Sequence, residues 1–127
     1  MLLSVTRIFN ISYAHSLPGY DGKCAELHGH NAMIEVEFTV DDEVILKGST
    51  AKSCMVYDFN DIKNDIGAII DYLDHKDLNT IFEYPTAEVI VLFLVNRIKV
   101  LFSKSYGKDL SRVRFYETPN SFVEWRR

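Results

Sequence analysis

The stretch CAELHGHNAMIEVEFTV, residues 24–40, decides the fold and carries most of the chain's chemistry. From His28 onward Ala32, Ile34, Val36, Phe38 and Val40 alternate with Glu35, Glu37 and Thr39, the period of two that a half-buried strand requires. His28 and His30 share parity with the apolar set. Side chains two apart on a strand point to one face, so both imidazoles aim at a single point, a metal-ligand geometry. Gly29 between them carries no side chain and lets backbone or a ligand come close.

Working back from this strand, residues 16–23 (SLPGYDGK) hold Pro18, Gly19, Asp21 and Gly22 and read as a loop that brings Cys24 round. Before it, residues 4–15 alternate: Val5, Phe9, Ile11, Tyr13 and His15 occupy one face, and Thr6, Asn10 and Ser12 the other. His15 therefore points inward with the apolar set. Two strands can deliver three imidazoles to one sheet face. A zinc site that does chemistry keeps three protein ligands and one open position, so His15, His28 and His30 make the right count. Cys24 leaves two alternatives: a fourth ligand that closes a structural site, or a thiol beside an open one.

Working forward, residues 41–53 are polar with one short apolar patch at Val44 to Leu46 and read as a hairpin excursion. Ile62, Ile66, Ile69, Ile70 and Leu73 recur at helical spacing, with Asp58 or Asn60 as the N-cap. LDHKDLN follows as a loop with Asp74 and His75 at or just past the helix end. Thr86 caps a second helix with Glu88 in its first turn, and the run from Val89 to Phe102 is apolar almost all round, which predicts burial on more than one side, either under the sheet or in a subunit contact. After a turn around Gly107, Val113 and Phe115 mark a strand ending at Glu117, and residues 121–125 a final one. The order ββααββ predicts an α+β fold, a four-stranded antiparallel sheet with two helices on one face, in a single domain over residues 1–127. Open sheet edges on so small a chain predict association into a homo-oligomer.

Composition narrows the function classes. With 14 basic and 18 acidic residues, a net charge of −4 and no basic stripe, the chain does not read as a nucleic-acid binder. No apolar run is long enough to cross a bilayer, and the first residues lack a signal-peptide h-region, so the expectation is a soluble, cytoplasmic protein. Cys24 and Cys54 are read as free thiols.

Taken together, His15 in YAH, CAELHGHN, MVYDFNDIK, LDHKDLN, PTAE (residues 85–88) and Glu117-Thr118 resemble the 6-pyruvoyl-tetrahydropterin and 6-carboxytetrahydropterin synthase family, whose subunits have the tunnelling fold. The resemblance implies that His15, His28 and His30 bind Zn2+, that Cys24 is the catalytic base, and that Asp74 with His75 assists proton transfer. It also implies that Glu117 anchors a pterin ring, with Thr86 and Glu88 of the PTAE stretch as further substrate contacts. Trimers forming a barrel and stacking as hexamers, with active sites at subunit interfaces, are implied as well.

The CxxxHGH spacing is shorter than in the animal biopterin enzymes and is similar to the bacterial queuosine branch. The expected reaction is then conversion of 7,8-dihydroneopterin triphosphate to 6-carboxy-5,6,7,8-tetrahydropterin with loss of triphosphate and acetaldehyde, by a zinc-dependent lyase. The alternatives are pyruvoyl-tetrahydropterin synthesis, a folate-directed cleavage to 6-hydroxymethyl-dihydropterin in which Glu26 serves as base, and a non-catalytic zinc or pterin-binding protein. Tyr13 stands where relatives have a small residue, and Ser16 where many have arginine.

Overall fold

The computed structural model describes residues 1–103 and 108–127, so the expected turn around Gly107 lies outside the described residues. Strands β1 (Leu2–His15) and β2 (His28–Asp41) pair antiparallel over their whole length, from Leu2 opposite Asp41 to His15 opposite His28. The apolar parity of the two strands dictates this register, because a slip by one residue would turn each apolar set to the other face. Strand β4 (Leu110–Thr118) adds to β2 with Val113 opposite Val36 and Phe115 opposite Ile34, and β5 (Ser121–Arg126) adds to β4.

Helix α2 (Phe59–Asp71) begins where the Asp58 carboxylate accepts the Asn60 N–H at 2.8 Å, and it buries Ile62, Ile66 and Ile70. Helix α3 (Ala87–Phe102) begins where the Thr86 hydroxyl accepts the Val89 N–H at 3.2 Å. Both caps satisfy backbone donors that have no partner inside the helix. The two helices pack on one sheet face, where Ile34, Val36, Phe38, Val113 and Phe115 meet Ile66, Leu94 and Ile98 in a continuous core. The fold is α+β with helices segregated to one face, as the element order requires.

Three expectations change. Among the described residues the sheet has five strands, in the order β3-β1-β2-β4-β5: residues 76 and 77 form β3 (Lys76–Asp77), which lies parallel to β1 at Tyr13 and Ala14. Two residues carry no periodicity, so LDHKDLN reads as loop in sequence. The pairing is held from outside the strand, by Ser12 donating its N–H to the Asp74 carboxylate at 2.8 Å and His75 donating its own to the Ser12 carbonyl at 2.6 Å. The excursion at 41–53 is not a hairpin but a short helix, α1 (Asp42–Leu46), followed by a 3-10 turn at Lys52–Cys54. Asp41 caps α1 through the Glu43 N–H, and Asp42 and Glu43 lie in its first turn where acids favour a helix. Third, α3 is buried on one side only within the chain: Ile90, Val91, Leu94, Val95 and Ile98 are covered, while Leu92 and Val100 stay exposed.

Ile66 is fully buried in the helix–sheet layer, whereas Lys63, one turn away on α2, is exposed. Ile66→Ala is expected to lower unfolding free energy by about 2–5 kcal/mol through lost burial and the cavity left behind. Lys63→Ala is expected to change it by no more than about 0.5 kcal/mol. Urea denaturation of the two variants checks the difference.

Candidate metal centre and ligand site

The β1–β2 register sets His15 directly opposite His28, with His30 two residues further along β2, opposite Tyr13. The three imidazoles converge on the helix-covered face, their ring centroids 4.6, 4.8 and 5.1 Å apart. One ligand atom from each lies within 4.8 Å of the others.

Two backbone carbonyls orient the set. His15, fully buried, donates Nδ1–H to the Pro85 carbonyl at 2.8 Å, and His28 donates Nδ1–H to the Glu26 carbonyl at 2.7 Å. A neutral imidazole that carries its proton on Nδ1 presents a lone pair at Nε2. The Nε2 atoms of His15 and His28 stand 3.0 Å apart, lone pair against lone pair. The buried Nε2 of His30 has no hydrogen-bond partner among the described residues, and burial pushes the His30 pKa down, which keeps the ring neutral. Glu117, on β4, brings Oε1 to 3.3 Å from His15 Nε2 and 3.2 Å from His30 Nε2 without forming an aligned hydrogen bond to His30. The Nε2 lone pairs of His15 and His28, the His30 Nε2 and the Glu117 carboxylate oxygen crowd one point, an arrangement that a bound cation would join. Imidazole-rich sites of this kind suit first-row divalent metals, and the carbonyl bonds at Nδ1 are the usual outer support of a metal-binding histidine.

The other candidate residues are placed around this centre, not all within it. Cys24 is exposed in a 3-10 turn, Lys23–Ala25, whose loop is tied by the Leu17 N–H donating to the Cys24 carbonyl at 3.0 Å. It is not part of the three-histidine group. Gly19 and Gly22 take positive φ values of 79° and 143° in the same loop, backbone conformations that glycine tolerates. The Thr86 hydroxyl is engaged as the cap of α3. Glu88, exposed in the first turn of α3, shares with Glu117 the lining of a cavity of about 170 Å³.

Asp74 and His75 lie elsewhere. They flank the outer edge of β1 and line, with Ser12, Asn31 and Tyr116, a cleft of about 500 Å³ on the sheet face that the helices leave bare. The Ser12 N–H holds the Asp74 carboxyl below the usual carboxylate range, and Asp74 Oδ1 in turn lies 3.0 Å from His75 Nδ1. His75 is 80% exposed and has φ of 57°, a left-handed conformation that a non-glycine residue adopts at a cost. The Asp74-oriented ring therefore presents its Nε2 outward.

Features of the site with no signature in the sequence are the Pro85 and Glu26 carbonyls, since any residue supplies one. Tyr13 did carry a signal, its parity with His15. It is buried against His15, His30 and Phe115, and burial first, then the Glu117 charge, raises its pKa so that the phenol stays protonated.

With this geometry established, comparison with known proteins places the chain. A family model described as 6-pyruvoyl tetrahydropterin synthase matches residues 4–127. The chain belongs to this family. It is therefore a member of an enzyme family of tetrahydropterin synthases, and the fold is the family's tunnelling fold. A 6-carboxy-5,6,7,8-tetrahydropterin synthase of Haemophilus influenzae is 34% identical over 148 residues, covering 98% of this chain and 99% of its own. A putative enzyme of the same name from Archaeoglobus fulgidus is 33% identical over 127 residues, covering 100% and 96%. The solved structure of Caenorhabditis elegans 6-pyruvoyl tetrahydropterin synthase superposes with a TM-score of 0.79 at 22% identity, covering 100% of this chain and 96% of that one. Among the described residues no helix is long and apolar enough to cross a membrane.

His28→Ala removes one of the converging lone pairs and its tether to Glu26. Elemental analysis of the purified variant is expected to find less than a tenth of the wild-type metal per chain. Full metal content would remove His28 from the centre.

Proposed function

We propose that the protein is a zinc-dependent lyase that converts 7,8-dihydroneopterin triphosphate, with uptake of water, to 6-carboxy-5,6,7,8-tetrahydropterin, releasing triphosphate and acetaldehyde. The observation that carries the reading is the convergence of one ring nitrogen from each of His15, His28 and His30 beside the Glu117 carboxylate. When bound there, Zn2+ would polarise a side-chain oxygen of the substrate and make the adjoining C–H more acidic. The near-full-length likeness to relatives named for the carboxy product, together with the CxxxHGH spacing, favours that product over the pyruvoyl one.

In this reading Glu117 accepts two parallel hydrogen bonds from the amino group and ring N–H of the pterin, the bidentate recognition that a carboxylate suits. Glu88, facing the same small cavity, is a second acceptor for the ring, and Thr86 holds the start of α3 beside it. Cys24, on its exposed turn, is the base that removes the side-chain proton. Asp74 keeps His75 oriented for proton delivery. Because Asp74 and His75 flank the bare sheet face while the histidines lie under the helices, the dyad that completes one centre is supplied by a neighbouring chain. A hexamer built as a dimer of trimers satisfies this requirement and also covers the open edges of β3 and β5. The cytoplasm is the compartment consistent with free Cys24 and Cys54.

Incubation of the purified protein with 7,8-dihydroneopterin triphosphate, followed by mass spectrometry of the pterins, tests the proposal. The expected products are the 6-carboxy pterin and an equimolar amount of acetaldehyde. A pyruvoyl product without acetaldehyde would overturn the assignment in favour of the biopterin branch. A 6-hydroxymethyl product that survives Cys24→Ala and disappears in Glu26→Ala would favour the folate-directed cleavage.

A further inference from the structure

Glu117 raises a problem that its histidine neighbours do not solve. Its Oε1 stands 3.3 Å from a His15 nitrogen that offers a lone pair, and 3.2 Å from a His30 nitrogen with no aligned hydrogen bond. Commitment of those nitrogens to a cation relieves the repulsion but leaves them no proton to donate. A carboxylate that must present its oxygens in a fixed direction then needs a donor from another side chain.

Tyr13 has the required properties. Its ring is held by His15 edge-on at 5.2 Å, by His30 at 5.5 Å and by Phe115 at 5.8 Å, so the hydroxyl cannot swing to solvent. Tyr13 is 4% exposed, its hydroxyl has no well-formed hydrogen bond, and the charge it faces is Glu117. A buried hydroxyl without a partner is a standing cost that phenylalanine would avoid at the same position.

We propose that Tyr13 is a positioning residue for pterin recognition: its hydroxyl donates to the Glu117 carboxylate once the histidines are committed to metal, and so fixes the direction in which Glu117 meets the ring's N–H donors. The inference rests on the reading of Glu117 as the pterin anchor. It assigns Tyr13 to ligand affinity and not to metal retention, although the ring touches two of the three histidines.

A double-mutant cycle on the zinc-loaded full chain tests it, with 7,8-dihydroneopterin as the titrated probe and zinc content measured in parallel. Tyr13→Phe keeps the ring and deletes the donor; the expected result is unchanged zinc and affinity weaker by about tenfold, typical of a hydrogen bond to a charged group. In a Glu117→Gln background the same substitution is expected to change affinity less than twofold, because the carboxylate it serves is gone. Additive losses in the double variant, or zinc lost from Tyr13→Phe, would overturn the proposal by making Tyr13 a packing or metal-site residue. Wild-type affinity in Tyr13→Phe while Glu117→Gln binds weakly would overturn it and leave the anchor standing. Unchanged affinity in Glu117→Gln would overturn the anchor and this inference together.

Discussion

Two imidazoles on adjacent strands, each held by a carbonyl at Nδ1, are forced to face each other through their lone pairs at 3.0 Å. The rest of the site follows from that constraint. The antiparallel register of β1 and β2 puts His15 opposite His28, and the apolar parity of both strands is what prevents a slip that would move them apart. The start of α3 takes part as well, since the carbonyl that holds His15 belongs to Pro85, just before the Thr86 cap. Helix start, strand pairing and ligand tautomer are thus one arrangement, and a change in any of them would disturb the other two.

The sheet divides the chemistry between its two faces. The helix-covered face holds three converging imidazoles, Glu117 and the shielded phenol of Tyr13. At the bare face, Asp74 and His75 pin β3 to the β1 edge, and His75 accepts a left-handed backbone there. Strain of this kind persists where surrounding hydrogen bonds over-determine it, here through Ser12 on both its N–H and its carbonyl. The separation makes association between chains a condition of the proposed activity and not an addition to it.

Much of this was legible in the residues because it rests on periodicity. The alternation in β1 and β2 located both strands and put His15, His28 and His30 on one face, and the recurrence of Ile62, Ile66 and Ile70 located α2 with Asp58 or Asn60 as its cap, of which the structure gives Asp58. What escaped was short or depended on backbone. Strand β3 has two residues and α1 has five, too few for a period, and both are specified by side-chain to backbone hydrogen bonds from Asp74 and Asp41. The carbonyls of Pro85 and Glu26 have no residue signature. The approach of Glu117 to the histidines follows from the β2–β4 pairing, which strand patterns alone do not specify. The apolar run of α3 was read as burial on several sides, yet Leu92 remains 56% exposed within the chain, because hydrophobic composition records what a face can bury and not what covers it.

The central claim is that three histidine nitrogens, and no sulfur, hold the metal, leaving a position open to an oxygen ligand. X-ray absorption spectroscopy at the zinc edge of the loaded protein tests this most directly. The account predicts only nitrogen and oxygen neighbours at about 2.0–2.1 Å. A sulfur neighbour at about 2.3 Å would contradict it, since that distance belongs to a thiolate ligand and would make Cys24 or Cys54 part of a closed structural centre.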